Sequence, residues 1–234
     1  MKPFKHFVII KFNYPEGCDK IETKKQVLKW ISLDSLRKQT NKDFVLVLIT
    51  DMELSSEGFG EYIFSLNWKD KIKKMCDGYE WIITTRMDAD DFVTPDFIQT
   101  IQDNFEKKDK LVISPNCSIY DVRSDKLISN RFFGNTTLNN LSMIEKVENL
   151  ETVYVRTHGE MGKLYPTKWI DKILWTWVIW GGCIQSNRRK SDYFDSGQME
   201  LNKGNCQYYI NLIKKFDDKI TNIEKTNKDT NKND

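Results

Sequence analysis

Three carboxylates, Asp88, Asp90 and Asp91, follow closely on the apolar run Trp81-Ile82-Ile83-Thr84-Thr85, in the string Arg86-Met87-Asp88-Ala89-Asp90-Asp91. The run reads as a buried strand. In extended chain alternate side chains share a side, so Asp88 and Asp90 face together while Ala89 turns away. Two acceptor-only carboxylates on one side suit a hard divalent cation, Mg²⁺ or Mn²⁺, which takes oxygen ligands and completes its shell with water and substrate phosphates. The chemistry implied is the handling of a phosphate or diphosphate. Three acids at one strand end also repel one another unless a positive group sits among them. The plainer alternative is an acidic turn capping the next helix, for which Thr94-Pro95-Asp96 supplies an N-cap and a proline at the first helical position. Asp91 suits that structural role.

The elements that would position these residues follow from periodicity. A strand at 6–12 is followed by the polar loop Asn13-Tyr14-Pro15-Glu16-Gly17 and a helical stretch at 21–39 with Val27, Leu28, Ile31, Leu33 and Leu36 mostly on one face. The continuous apolar run Phe44-Val45-Leu46-Val47-Leu48-Ile49, ended by Thr50-Asp51, predicts a strand covered on both faces. A helix within 57–76, a strand at 80–85, a helix at 95–107 and a strand at 111–114 complete an alternating pattern. This predicts an α/β fold, Rossmann-like, with a mostly parallel central sheet and helices on both faces. Ligands of such sheets bind beyond the carboxyl ends of the strands. Lys11 and Asn13, Asp51, and the segment from Arg86 to Asp91 all fall at that edge. Asp51 by itself is equally well read as a turn residue.

From 116 onward the pattern changes to short, turn-separated strands at 118–122, 126–131 and 152–155, which predicts a mixed, antiparallel half. The expected organisation is a first half at 1–115, a second half of the same domain at 116–215, and a disordered polar tail at 216–234, rich in Lys, Asn and Asp. With 36 basic against 34 acidic residues, the net charge of +2 gives no global attraction for nucleic acid or an anionic membrane. The five cysteines are scattered without a CxxC pair or zinc spacing, which suits free thiols in a reducing cytoplasm. No apolar stretch approaches the length of a membrane span, and the run Phe7-Val8-Ile9-Ile10 is too short for the apolar part of a signal peptide.

Four pieces taken in order carry a resemblance: His6-Phe7-Val8-Ile9-Ile10-Lys11-Phe12-Asn13; Ser35-Leu36-Arg37-Lys38-Gln39-Thr40-Asn41-Lys42-Asp43-Phe44; Thr85-Arg86-Met87-Asp88-Ala89-Asp90-Asp91; and Trp177-Val178-Ile179-Trp180-Gly181-Gly182-Cys183-Ile184-Gln185-Ser186-Asn187. With them the chain resembles nucleotide-sugar-dependent glycosyltransferases of the GT-A fold, and more narrowly the rhamnosyltransferase family of bacteria and viruses. The resemblance implies transfer of a sugar from a nucleotide diphosphate donor to an acceptor hydroxyl, with Asp88 and Asp90 matching the metal–diphosphate motif. It implies that Asp51 contacts the base or ribose. It departs from the family where a His-Gly-Gly-Asn-like segment is expected and Trp180-Gly181-Gly182-Cys183 stands instead. His158, one of only two histidines, could take the place of the missing ligand.

On that reading Arg86 and Lys11 add positive charge at the diphosphate. Asn13 belongs to the donor site, and Asp91, Asp121, His158 and Glu160 are candidate bases for the acceptor hydroxyl. His158 and Glu160 lie in the Gly-flanked segment Arg156-Thr157-His158-Gly159-Glu160-Met161-Gly162, read either as a mobile flap or as an ordinary solvated loop. The tryptophans at 169, 175, 177 and 180 either stack on an acceptor sugar or pack against the sheet. Gly181-Gly182 suits a sharp turn or a close backbone approach rather than a phosphate loop. Two alternatives remain: a nucleotidyltransferase, which would carry a glycine-rich basic loop after the first strand, and a non-catalytic carbohydrate- or nucleotide-binding relic.

Overall fold

β1 (Phe4–Lys11) and β2 (Val45–Ile49) pair in parallel and lie buried at the centre of the molecule. Their continuous apolar character has the expected cause, since successive residues enter two different cores. Phe7, Ile9, Val45 and Val47 face one side, where α3 (Trp68–Met75) contributes Trp68 and Ile72 and α5 (His158–Leu164) contributes Met161. Val8, Ile10, Leu46 and Leu48 face the other. That side is covered by a helical run built of α1 (Ile21–Val27), a π turn (Leu28–Ser32) and α2 (Leu33–Arg37), and by α4 (Phe97–Asp103). The computed structural model describes residues 3–14, 20–52, 56–130, 140–181 and 199–230.

The remaining strands are β3 (Glu61–Phe64), β4 (Trp81–Met87), β5 (Phe92–Val93), β6 (Leu111–Asp121), β7 (Lys126–Asn130), β8 (Ser142–Lys146) and β9 (Thr167–Ile179). The sheet order is β3-β2-β1-β4-β8-β6-β9-β5, with β7 on β6. β3, β2, β1 and β4 are mutually parallel. β8 enters antiparallel to both β4 and β6, and β9 is parallel to β6. The parallel half and the mixed half expected from the periodicity are therefore both present, in one continuous sheet. The boundary expected at 115/116 falls inside β6, where its register with β9 shifts. β1 has β2 on one side and β4 on the other, so the chain reverses its direction of travel across the sheet there. The crevice at the carboxyl ends of such neighbours is where ligands of open α/β sheets bind.

Several expected elements differ. The helix expected within 57–76 is present as α3, but it is preceded by a short strand, β3, that the periodicity did not give. The cluster Tyr62-Ile63-Phe64 favours extended chain, and only Ile63 of the three is fully buried. The strands expected at 111–114 and 118–122 are one strand of 11 residues, β6. Residues 152–155 form a turn rather than a strand, with Thr152 at φ 71. The helix after the acidic turn begins at Phe97 with Asp96 as its N-cap, so Pro95 precedes the cap.

The polar tail expected from 216 is helical instead: α6 (Gln207–Thr230) passes through it, with Phe216 and Ile220 buried. Ile210, Ile213, Phe216 and Ile220 recur at helical spacing and pack with Val27, Ile31, Phe92 and Trp180. Averaged composition concealed that stripe. Among the described residues, no helix is long and apolar enough to cross a membrane.

Candidate active site

The acidic turn stands at the carboxyl end of β4. Ile10 lies opposite Met87, and Lys11 opposite Ile49, so β1, β2 and β4 end nearly level. This register brings Lys11, Asn13 and Asp51 to the same edge as Arg86, Asp88, Asp90 and Asp91; the first three are exposed there. The placement inferred from the sequence is the placement observed.

The turn is fixed by its neighbours, each of its carboxylates in a different way. The Asp88 backbone N–H donates to Asn140 Oδ1 at 3.1 Å, while Asn140 Nδ2 donates to Asp91 Oδ2 at 3.2 Å. One buried amide thus holds both ends of the turn. Asp91 Oδ1 accepts the Val178 N–H at 3.1 Å, tying the turn to β9. Asp91 is fully buried, and burial together with the charges of Asp90 and Asp88 pushes its carboxyl well above the usual range. Its geometry is that of a structural tie rather than of a base open to a substrate, and it caps no helix.

Asp90 keeps partial exposure, and Trp180 Nε1 donates to its Oδ2 at 3.0 Å. Burial pushes its carboxyl up to about 6; the Trp180 hydrogen bond and the charge of Lys24 oppose that rise, and Asp88 adds to it. Asp88 receives Arg86 Nη2 on Oδ1 at 3.3 Å. The Arg86 guanidinium lies over the Tyr154 ring at 5.2 Å from its centroid, and the Tyr154 hydroxyl donates to the Ile9 carbonyl of β1 at 3.4 Å. The arginine is therefore held between a carboxylate and an aromatic face.

His158 and Glu160 do not lie in a loop. They occupy the first turn of α5, whose N-cap is Thr157. Glu160 Oε2 accepts the Thr157 N–H at 3.2 Å and its hydroxyl at 2.6 Å, the reciprocal capping arrangement that T-x-x-E spells. These bonds hold the Glu160 carboxyl below the usual range and employ it structurally. His158 is partly buried and close enough to feel Arg86 and Asp88; burial first, then Arg86, lowers its pKa. Asp121 is also a turn residue, accepting from the Arg123 N–H and the Ser124 hydroxyl.

Of the tryptophans, Trp175 and Trp180 are buried and Trp169 is 43% exposed, so packing accounts for the first two. The Gly181 N–H donates to Asp217 of α6, and a Cβ on Gly181 would lie 3.1 Å from that carboxylate oxygen. The close approach that this glycine permits is to α6. Gly182, Cys183 and the late motif up to Asn187 lie outside the described residues, as do Pro15, Glu16 and Gly17.

Sequence reasoning missed Asn140, Tyr154 and Lys24. Asn140 lies within Asn140-Leu141-Ser142, which carries no catalytic signature, and Tyr154 belongs to a segment read as a strand. Lys24 is one of many lysines on a helix. Its backbone position in α1 gives no hint that it is only 9% exposed.

Two partly exposed carboxylates two residues apart, Asp88 and Asp90, suit a Mg²⁺ or Mn²⁺ that draws its other ligands from water and phosphate. They do not form a closed protein cage. Among the described residues no group of three or more His, Cys, Asp and Glu side chains is placed to hold a metal, so His158 does not complete a ligand set with them.

The fold and this edge define an α/β protein with a mixed sheet and an acidic, arginine-flanked site at its topological switch point. No family model matches the chain, and no curated protein sequence matches it. Its fold is similar to that of S. aureus TarS 1-349 in complex with UDP-GlcNAc at a TM-score of 0.48 and 13% identity, over 79% of this chain and 61% of that one. It is also similar to that of GalNAc-T7 with UDP, GalNAc and Mn²⁺ at a TM-score of 0.41 and 10% identity, over 74% of this chain and 44% of that one. The chain thus spans about three fifths of the length of that TarS chain and less of GalNAc-T7. Likenesses this distant decide neither ligand nor activity, which the residues of this chain must carry.

Proposed function

We propose that this chain transfers a sugar from a nucleotide diphosphate donor to an acceptor hydroxyl, as a glycosyltransferase of GT-A type. The observation that supports this best is the delivery of Arg86, Asp88 and Asp90 to the carboxyl edge of the parallel sheet, level with Lys11, Asn13 and Asp51. Asp88 and Asp90 would hold the divalent cation, Mn²⁺ or Mg²⁺. When bound, that cation supplies Lewis-acid neutralisation of the departing diphosphate. Arg86, fixed by Asp88 and Tyr154, adds a pre-oriented positive charge beside it. Asp51, exposed beyond β2, would contact the nucleoside, and Asn13, exposed beyond β1, would belong to the same donor site.

His158 is the candidate base. Its lowered pKa keeps the imidazole neutral near pH 7, ready to accept the acceptor's proton. Asp91 and Glu160 support the frame. The sequence resemblance favours the hexosyltransferase type, and in its motifs the chain is similar to the rhamnosyltransferase family. The free thiols of Cys76, Cys117 and Cys206 suit a cytoplasmic setting.

The test is donor turnover. UDP-, GDP-, dTDP- and CDP-sugars are incubated with Mn²⁺, and release of the nucleoside diphosphate is followed by chromatography for wild type and Asp88→Asn. Release from one donor by wild type and its loss in the variant is the expected result. Equal release by both proteins would remove Asp88 from the reaction.

A further inference from the structure

Trp180 is tied to the acidic turn by the only polar atom of its side chain. Nε1 donates to Asp90 Oδ2 at 3.0 Å, and the residue is 1% exposed. The indole packs in one cluster with Ile31, Phe92, Ile213 and Ile220, so it cannot shift without disturbing the contact between the sheet and α6. The backbone on either side is fixed as well. The Val178 N–H is bonded to Asp91, and the Gly181 N–H to Asp217 of α6. The donor is therefore held in place from both directions. Asp90 must keep Oδ2 turned toward it or leave a buried N–H without a partner, which is costly.

This bond restricts what Asp90 can offer a cation. An indole N–H only donates, so it cannot itself join a metal's shell. Divalent cations differ in how they use carboxylates: Ca²⁺ gathers many oxygens in a flexible shell and takes carboxylates through both of theirs, whereas Mg²⁺ demands near-octahedral geometry and combines one or two carboxylates with water and phosphate. Mn²⁺ shares that octahedral preference. Use of Asp90 through both oxygens would require Oδ2 to turn away from the indole. Asp88 is engaged in the same manner, with Arg86 Nε and Nη2 at 3.4 and 3.3 Å from its Oδ1. From the Trp180–Asp90 hydrogen bond and its buried anchorage we infer that Trp180 is a positioning residue that holds Asp90 to one-oxygen coordination and so selects Mn²⁺ or Mg²⁺ over Ca²⁺. This inference rests on the assignment of Asp88 and Asp90 to the cation in the reading above.

The probes are Mn²⁺ and Ca²⁺, each titrated calorimetrically as the metal alone into wild type, Trp180→Phe and Asp88→Asn. Phenylalanine keeps an aromatic ring in the packed cluster and removes the N–H. Wild type is expected to bind Mn²⁺ more tightly than Ca²⁺. In Trp180→Phe the ratio of the Ca²⁺ to the Mn²⁺ dissociation constant should fall by about 10- to 100-fold, the range seen when a group that orients a metal ligand is removed. An indole that only packs predicts equal changes for the two metals. An unchanged ratio in a folded Trp180→Phe, or a wild type without preference for Mn²⁺, overturns the inference and leaves the cation seat standing. No Mn²⁺ binding by wild type, or equal binding by wild type and Asp88→Asn, removes both. If Trp180→Phe does not fold, benzothienylalanine incorporated at position 180 decides, since it keeps the bicyclic shape and lacks the donor: a lowered ratio supports the assignment, and an unchanged one overturns it.

Discussion

Glu145 offers the sharpest test of how the frame behind the site is held. It lies on β8 opposite Ile82, fully buried, with Oε1 accepting the Glu151 N–H at 3.0 Å and Oε2 the Thr152 N–H at 2.9 Å. Those bonds fix the turn that leads to Tyr154, under Arg86, and on to His158. Burial pushes the carboxyl up to about 7 from 4.5, against the two N–H donors that favour its charge. A raised carboxyl binds its proton more tightly in the folded than in the unfolded chain. Its contribution to stability is therefore complete below about pH 4.5 and is lost as pH rises through about 7.

At about 1.4 kcal/mol per pH unit, that loss amounts to about 3 kcal/mol across the interval. Glu145→Gln cannot titrate, and its single carbonyl can accept only one of the two N–H groups, a cost of about 1–3 kcal/mol at all pH values. Urea denaturation of both proteins from pH 4.5 to 8 should give stability curves that converge or cross: wild type more stable at acid pH, the difference shrinking by about 3 kcal/mol toward pH 8. Comparing the two proteins cancels the titration of Asp90, Asp91 and His158. Parallel curves would refute the reasoning.

Two further outcomes follow from packing. Asp91→Asn should lower the free energy of unfolding by about 1–3 kcal/mol, because the amide turns a donor toward either Asn140 or the Val178 N–H; unchanged stability by chemical denaturation would remove the tie between the acidic turn and β9. Ile220→Ala should cost about 2–5 kcal/mol by the same measurement, as for other buried isoleucines, whereas a disordered tail beyond 216 predicts no effect.

Much of this arrangement was legible in the sequence because it depends on local pattern. Phe7-Val8-Ile9-Ile10 and Val45-Leu46-Val47-Leu48-Ile49 had to be doubly covered strands, and the carboxyl-edge position of Lys11, Asn13, Asp51 and Arg86 to Asp91 follows from strand direction alone. What was not legible depends on partners distant in the chain. Asp91 reads as a helix-capping acid or a base, yet Val178, 87 residues on, and Asn140 make it a buried tie. Thr157 and Glu160 do spell a capping box, but two glycines in the same stretch suggested a loop, and tertiary contact at Met161 decided for a helix. In α6, a four-residue apolar stripe outweighed a polar composition. Lys24 shows the same limit, since nothing local in the sequence says that this one lysine among many is buried over the Tyr14 ring.

The central claim is that Asp88 and Asp90 form the cation-dependent seat of a nucleoside diphosphate. The most direct measurement is a thermal-shift series with UDP, GDP, dTDP and CDP, each with Mn²⁺ or with EDTA, on wild type and on the Asp88→Asn/Asp90→Asn double variant. The account predicts that one nucleotide raises the melting temperature of wild type, only with Mn²⁺, and that the variant shows no such rise. Stabilisation that persists in EDTA or in the double variant, or no stabilisation of wild type by any of the four, would contradict it.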